Sequence, residues 1–372
     1  MRGKIVIVAV LAALAVVPRL PAQVSTVEFH KQRVASRPGD VDAMRMLADA
    51  LVARAERTAN GADYEEASAV LDQCDRMEPW HAPVVLSRAR LLLSRHRFLA
   101  ARGLAEEGAR RFPSEARFHE VASDGALETG DLEGAERHAR ILVEQKPNLP
   151  AWARLAHVYE IREDWQRAIE YQTKALEDGL SNTSSAPPES LAWCRAILGE
   201  LYLKSGNGAE ARRQYEQGLA ESPAHPLVLE HLAELERREG HPEKAAEAYR
   251  AILKTQRNPV IEIALAGITG DAELLARAEA FLVQAVESGN EGYLRPLAQI
   301  RLRQGRFEQA AALQVRDVLL RPVPDACAVL HSITGAARKA GATLSVSDGI
   351  CGQNSSGGLA AADRKLVLSQ SR

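Results

Sequence analysis

Very little of this sequence is suited to chemistry. No Gly-x-Ser-x-Gly, Walker loop or EF-hand loop occurs, and no Cys-x-x-Cys-His, which excludes covalently attached haem. His119-Glu120 begins a zincin-like pattern, but Ser123 stands where the second histidine must lie one helical turn on, so that zinc site fails. The ten histidines are scattered. No catalytic residue, metal ligand or cofactor is therefore assigned, and an enzyme is not expected. Charge of one sign is also lacking. A formal net charge of −2 gives no electrostatic case for nucleic acid or for an anionic membrane surface. Aromatic residues make up only 5%, and β-branched runs are few beyond the N-terminus. Hydrophobic residues reach 46% and charged ones 26%, with both signs interspersed at helical spacing. That balance suits helices.

The one long hydrophobic run lies at the start. Arg2 and Lys4 precede Ile5 to Val17, 13 apolar residues without interruption, and Pro18 and Leu20-Pro21-Ala22 follow. Thirteen helical residues span about 20 Å, against roughly 30 Å for a bilayer core. The segment reads as a secretory signal over residues 1–22, which gives an exported, periplasmic or secreted chain with no integral span after cleavage. An uncleaved anchor is the alternative, and it would leave the remainder outside the membrane. Cleavage discards Arg2, Lys4 and Arg19 and no acid.

What the sequence does have is period. Pro79, Pro113 and Pro147 are spaced by 34 residues, and so are Ala67, Ala101 and Ala135. The alanine series continues through Ala168, Ala211, Ala245 and Ala310. One stretch reads Trp152, Leu155, Ala156, Tyr159, Ala168, Ala175; another reads Leu198, Gly199, Tyr202, Ala211, Tyr215, Pro223. From about residue 40 to residue 322 the chain resembles the tetratricopeptide repeat family, whose signature is Trp-x2-Leu-Gly-x2-Tyr, then Ala-x3-aromatic, then Pro. The resemblance implies an all-α fold, a right-handed α-solenoid superhelix of about eight antiparallel helix pairs, A and B, over residues 41–322. It also implies small residues where A meets B. At the eighth position of helix A stand Ala48, Ala89, Ser123, Ala156, Gly199, Ala233, Ala266 and Ala298. At the twentieth, on helix B, every unit has alanine if Ala276 serves the seventh.

Three departures interrupt the period. The first unit carries seven extra residues, expected as a longer surface turn around Thr58-Ala59-Asn60-Gly61. A Ser/Pro-rich insert from Ser181 to Pro188 should be a loop at the edge of the superhelix. The seventh unit, Pro259 to Asn290, is short by two, and a local break in pitch is expected there. Residues 23–40 read as an N-terminal capping helix and 323–341 as a C-terminal one; residues 342–372, rich in Ser and Gly, read as a flexible tail. Cys74 and Cys194 read as buried small hydrophobes. Cys327 and Cys351 lie beyond the repeats, where a disulfide would pin the tail to the last helix, although spacing alone does not bring two sulfurs together.

In this family helix A lines the concave surface. Carried over by position, that surface includes Arg90, Glu120, Asp124, Arg154, His157, Trp193, Glu200, Glu230 and Glu234, with Arg295 farther along. The acids make the middle of the groove negative, which favours a basic or amphipathic peptide. The competing reading is a solvated face of i,i+4 pairs, since Glu230 and Glu234 are followed by Arg237 and Arg238. The Lys and Asn that chaperone-tail-binding repeats use at the fifth and ninth positions are missing; Arg45/Asp49, Glu120/Asp124 and Glu230/Glu234 stand there instead. Trp152 occupies a core position, and Trp193 reads as an exposed anchor. The expected function is a non-enzymatic scaffold holding a peptide segment or partner protein in the groove. The alternative is an accessory subunit of an envelope assembly or polysaccharide export complex that positions an enzyme.

Overall fold

A computed structural model describes residues 26–58, 60–181, 186–321, 323–344 and 351. Every element among them is helical. α1 (Thr26–Ser36) is followed by eight antiparallel pairs. The first four are α2 (Val41–Thr58) with α3 (Gly61–Met77), α4 (Ala82–Ser94) with α5 (Phe98–Arg111), α6 (Arg117–Glu128) with α7 (Leu132–Gln145), and α8 (Leu149–Ile161) with α9 (Trp165–Ser181). The next are α10 (Pro188–Lys204) with α11 (Gly208–Glu221), α12 (Pro226–Arg238) with α13 (Pro242–Thr255), α14 (Pro259–Thr269) with α15 (Ala272–Glu287), and α16 (Leu294–Arg303) with α17 (Phe307–Leu320). α18 (Pro324–Lys339) closes the order. The chain forms a superhelix in which each pair packs on the next.

Small residues set the packing. All the eighth-position alanines and Ser123 are buried. Gly199 has no room for more, because a Cβ there would lie 2.3 Å from the Tyr215 ring. Ala67, Ala101, Ala135, Ala168, Ala211, Ala245 and Ala310 are fully buried on the B helices. The seventh unit corrects the expected register: Ala276 is exposed, and Ala278 is the fully buried alanine. Ala278 follows Ala266 at the interval by which Ala211 follows Gly199, so the interior of this unit is regular. Gly270, in the left-handed region at φ 72°, ends α14, and the Asp271 side chain accepts from Leu274 N at 2.8 Å to start α15. The shortfall comes after α15, where Ser288-Gly289-Asn290 leads into a 3-10 helix, Glu291–Tyr293.

The first unit departs from expectation in a second way. Its extra residues lengthen the helices, α2 to 18 residues and α3 to 17, where α4 has 13 and α5 has 14. Helix wins because its new ends are satisfied: Asn60 accepts from Ala62 N, and Arg54 clasps the buried Asp63 at 2.7 and 2.8 Å. The extension carries Gly61 onto the Ser288 carbonyl, so close that a Cβ would lie 1.9 Å from its oxygen. Beside it Arg97 pairs with Glu291 at 3.5 Å, and His96 fits against Gly292, where a Cβ would lie 2.6 Å from Nε2. One turn of the superhelix is thus closed by a seam between units one and two and unit seven.

At the ends, Asp40 accepts from Ala43 N at 2.8 Å to start α2. Cys327 on α18 is joined to Cys351, with Cα atoms 5.7 Å apart, beside Val315, Val318 and Leu330. Cys74 and Cys194 are buried, and burial pushes their thiols up to about 11 and about 12. Residues 1–22, Pro322, most of the Ser/Pro-rich insert and most of the tail lie outside the described residues.

Candidate functional site

Helices A of successive units lie side by side, α4 by α6, α6 by α8 and α10 by α12. Their charged residues meet across these boundaries. Arg90 reaches Glu120 at 3.1 Å. The buried Arg154 holds Asp124 through two bonds of 2.9 Å. Lys204 bonds Glu160 and, at 2.8 Å, Glu200; His231 lies 3.7 Å from Glu200. Only Glu234 follows the within-helix pattern, held by Arg237 at 2.9 Å and Arg238 at 3.0 Å. Most acids of the expected negative groove therefore already have cations from a neighbouring unit. Such pairs fix how one helix pair sits on the next, and partly buried bidentate geometry makes Arg154–Asp124 the firmest of them.

The titrations follow from these contacts. Burial disfavours a charged His157, but Glu160 at 2.8 Å outweighs it and raises the imidazole above its usual value. Burial opposes ionisation of Glu160 too, yet His157 and Lys204 hold it down to about 2. Burial lowers His231.

Two carboxyls on this wall, Glu128 and Glu230, have no hydrogen-bond or ion-pair partner among the described residues. Burial raises both. Arg321, His157 and Arg295 partly offset the effect at Glu128, whereas Glu200 adds to it at Glu230, which rises to about 7. Tyr215, fully buried, leaves its hydroxyl without a partner.

Trp193 is half-buried and packs on the cluster of Ala153, Ala175, Leu176, Cys194 and Leu198, so it is no free-standing anchor. Trp152 stacks on Tyr171 at 6.1 Å, as its core position required. Arg295 belongs to a buried knot, with its Nε 2.9 Å from the fully buried Asp317, which Arg321 also bonds at 3.0 Å. Glu160, Lys204 and Glu128 were missed as wall residues. They stand at the twelfth and thirteenth positions of their A helices, which face the groove in the family, so the register alone would have found them. Glu236, Glu239 and His241 bring three ligand-type atoms within 4.8 Å. Their carboxylates already bind Arg212 at 2.7 and 2.6 Å, with Lys244 at 3.6 Å.

The sequence profile of the tetratricopeptide repeat family matches residues 86–150 and 198–259. With the helix pairs and their small-residue register, the chain is built of tetratricopeptide repeats. No curated protein matches it in sequence. Among solved structures it is similar to the APC/C hetero-tetramer Cut9-Hcn1, at 16% identity and a TM-score of 0.46, over 82% of this chain and 59% of that one. It thus spans less than two thirds of that relative. It is also similar to Pseudomonas aeruginosa pilF, at 17% identity and 0.42, over 55% of this chain and 90% of that one. PilW, a type IV pilus biogenesis factor, matches at 16% and 0.42, over 54% and 91%. These likenesses say nothing of what this chain binds. Among the described residues no helix is long and apolar enough to cross a membrane.

Proposed function

We propose that this protein is a non-enzymatic interaction scaffold that holds a peptide segment or partner protein against its concave wall. The observation that supports the reading is the continuity of that wall. Ion pairs run from one A helix to the next, so side chains of units two to six present a single surface. The chain acts after export, with residues 1–22 removed, and it takes neither nucleic acid nor a cofactor. A photo-crosslinking residue placed at Trp193 should capture a partner, and one placed at the exposed Glu144 of α7 should not. Capture from Glu144 alone would sink the groove. A stoichiometric enzyme captured from the envelope would instead favour the accessory-subunit reading. N-terminal sequencing checks the cleavage, and an intact Met1 would refute it. Elemental analysis and an absorbance scan of the purified protein check the non-enzymatic reading, which a stoichiometric metal or chromophore would overturn.

A further inference from the structure

Along the wall the acids differ in what balances them. Glu120 and Asp124 each have an arginine, Glu234 has two, and Lys204 with the His157 imidazole neutralises Glu160 and Glu200. Glu128 has no bonded partner, but positive charge from Arg321, His157 and Arg295 acts on it. Glu230 on α12 stands apart. It has no partner, and the charged group that acts on it, Glu200 on α10, has the same sign. The neighbouring His231 is lowered by burial and stays neutral at pH 7. No cation within the fold is committed to Glu230.

A second observation falls at the same place. Tyr215 of α11 lies beneath Gly199 with its ring against His231 at 5.9 Å, wholly buried, and its hydroxyl has no hydrogen-bond partner. Glu200 and Glu234 are close enough to add to burial in keeping this phenol protonated. The hydroxyl of Tyr249 on α13 feels Glu234 and Glu230 in the same way. Buried polar groups are nearly always paired, so a lone phenol beside a lone carboxyl marks a place completed by something from outside.

We propose that Glu230, flanked by Glu200 and the Tyr215 hydroxyl, receives a lysine or arginine side chain of a partner segment lying in the groove. The proposal rests on the groove reading. An ammonium or guanidinium supplies several N–H donors for the carboxylate and the phenol oxygen, and it brings the positive charge the wall lacks. A neutral or acidic segment would leave Glu230 uncompensated. Capture of the cation also stabilises the carboxylate form, so a proton leaves Glu230 as the ligand enters. Affinity therefore rises as pH rises through about 7 and levels off above it.

A capped peptide repeating Ala-Ala-Lys, titrated into the full chain by calorimetry near pH 7 in phosphate and in Tris, tests this. Wild-type protein should bind it with release of about half a proton, read from the difference between buffers. The same peptide with acetylated lysines should bind about tenfold more weakly or worse. Glu230→Gln, which breaks no bond in the fold, should keep helicity and melting temperature, weaken binding by about tenfold or more, and abolish proton release. Glu247→Gln, an exposed change on α13, should alter none of these. Equal binding by Glu230→Gln, a released proton that survives it, indifference to lysine acetylation, or no binding of the lysine peptide would each overturn the cation receptor. The groove reading would still stand if Trp193 crosslinking captured a partner, and would fall separately if it did not.

Discussion

The concave wall and the seam hold the same superhelix by opposite means. The wall is periodic. Arg154 meets Asp124 and His231 meets Glu200 because each unit repeats the one before, so a charge on one A helix finds its partner about one repeat away. The seam is built from the departures. The lengthened α2–α3 pair delivers Gly61, and the shortened exit from α15 delivers Ser288 and Glu291. What looks like a harmless insertion and a weak unit are the two halves of one contact. Repetition stacks neighbours, and irregularity lets distant units meet.

The largest effect should come from the buried knot behind the seam. Asp317→Ala removes the one carboxylate that Arg295 and Arg321 share, all three being buried, and should cost about 3–5 kcal/mol in urea unfolding. A loss below about 1 kcal/mol would mean that water already serves the arginines. Next come the helix approaches. Ala211→Leu in the wall and Ala278→Leu near the seam should each cost about 1–3 kcal/mol by overpacking, although leucine is a good helix former. Ala276→Leu, on an exposed face, should stay within about 0.5 kcal/mol. Equal effects at 276 and 278 would erase the corrected register.

A smaller change in stability should accompany a larger change in shape at Gly61→Val. No side chain fits against Ser288, so the seam should open and the radius of gyration measured by X-ray scattering should rise while helicity stays constant. An unchanged radius would show that the closure does not depend on this contact.

Acid should separate the two regions most gently. Burial, then Arg321, lowers His96 to about 4, with Arg295 acting the same way and Asp317 against it. A depressed histidine favours the folded seam above its unfolded value of 6.5, and that contribution fades as pH falls toward about 4. Glu160, held at about 2, stabilises the wall above the ordinary glutamate value and loses that contribution only as pH falls through about 2. Scattering across this range should show the seam loosening before helicity declines. Simultaneous loss would refute the distinction.

The register was legible because it depends on local size. A small residue must stand wherever helix A crosses helix B, and the spacing from Ala156 to Ala168 can be read without knowing any neighbour. Ala276 was misassigned because the apparent shortening was placed inside the unit, whereas Gly270 and Asp271 make a normal turn and the loss comes after α15. The wall positions were legible in the same way, down to Glu200 and Glu230. Their partners were not, because Lys204 reaches Glu160 across a boundary lengthened by the Ser/Pro-rich insert.

The sequence by itself determined the helix pairs, their order and which side chains face the concave side, since each follows from spacing within or between adjacent helices. Only the tertiary structure decided which of those side chains are already neutralised and which, like Glu230, are left without a cation. It alone also decided that Gly61 meets Ser288. That contact is the sum of small rotations over seven units, and no local rule fixes such a sum until every unit is in place.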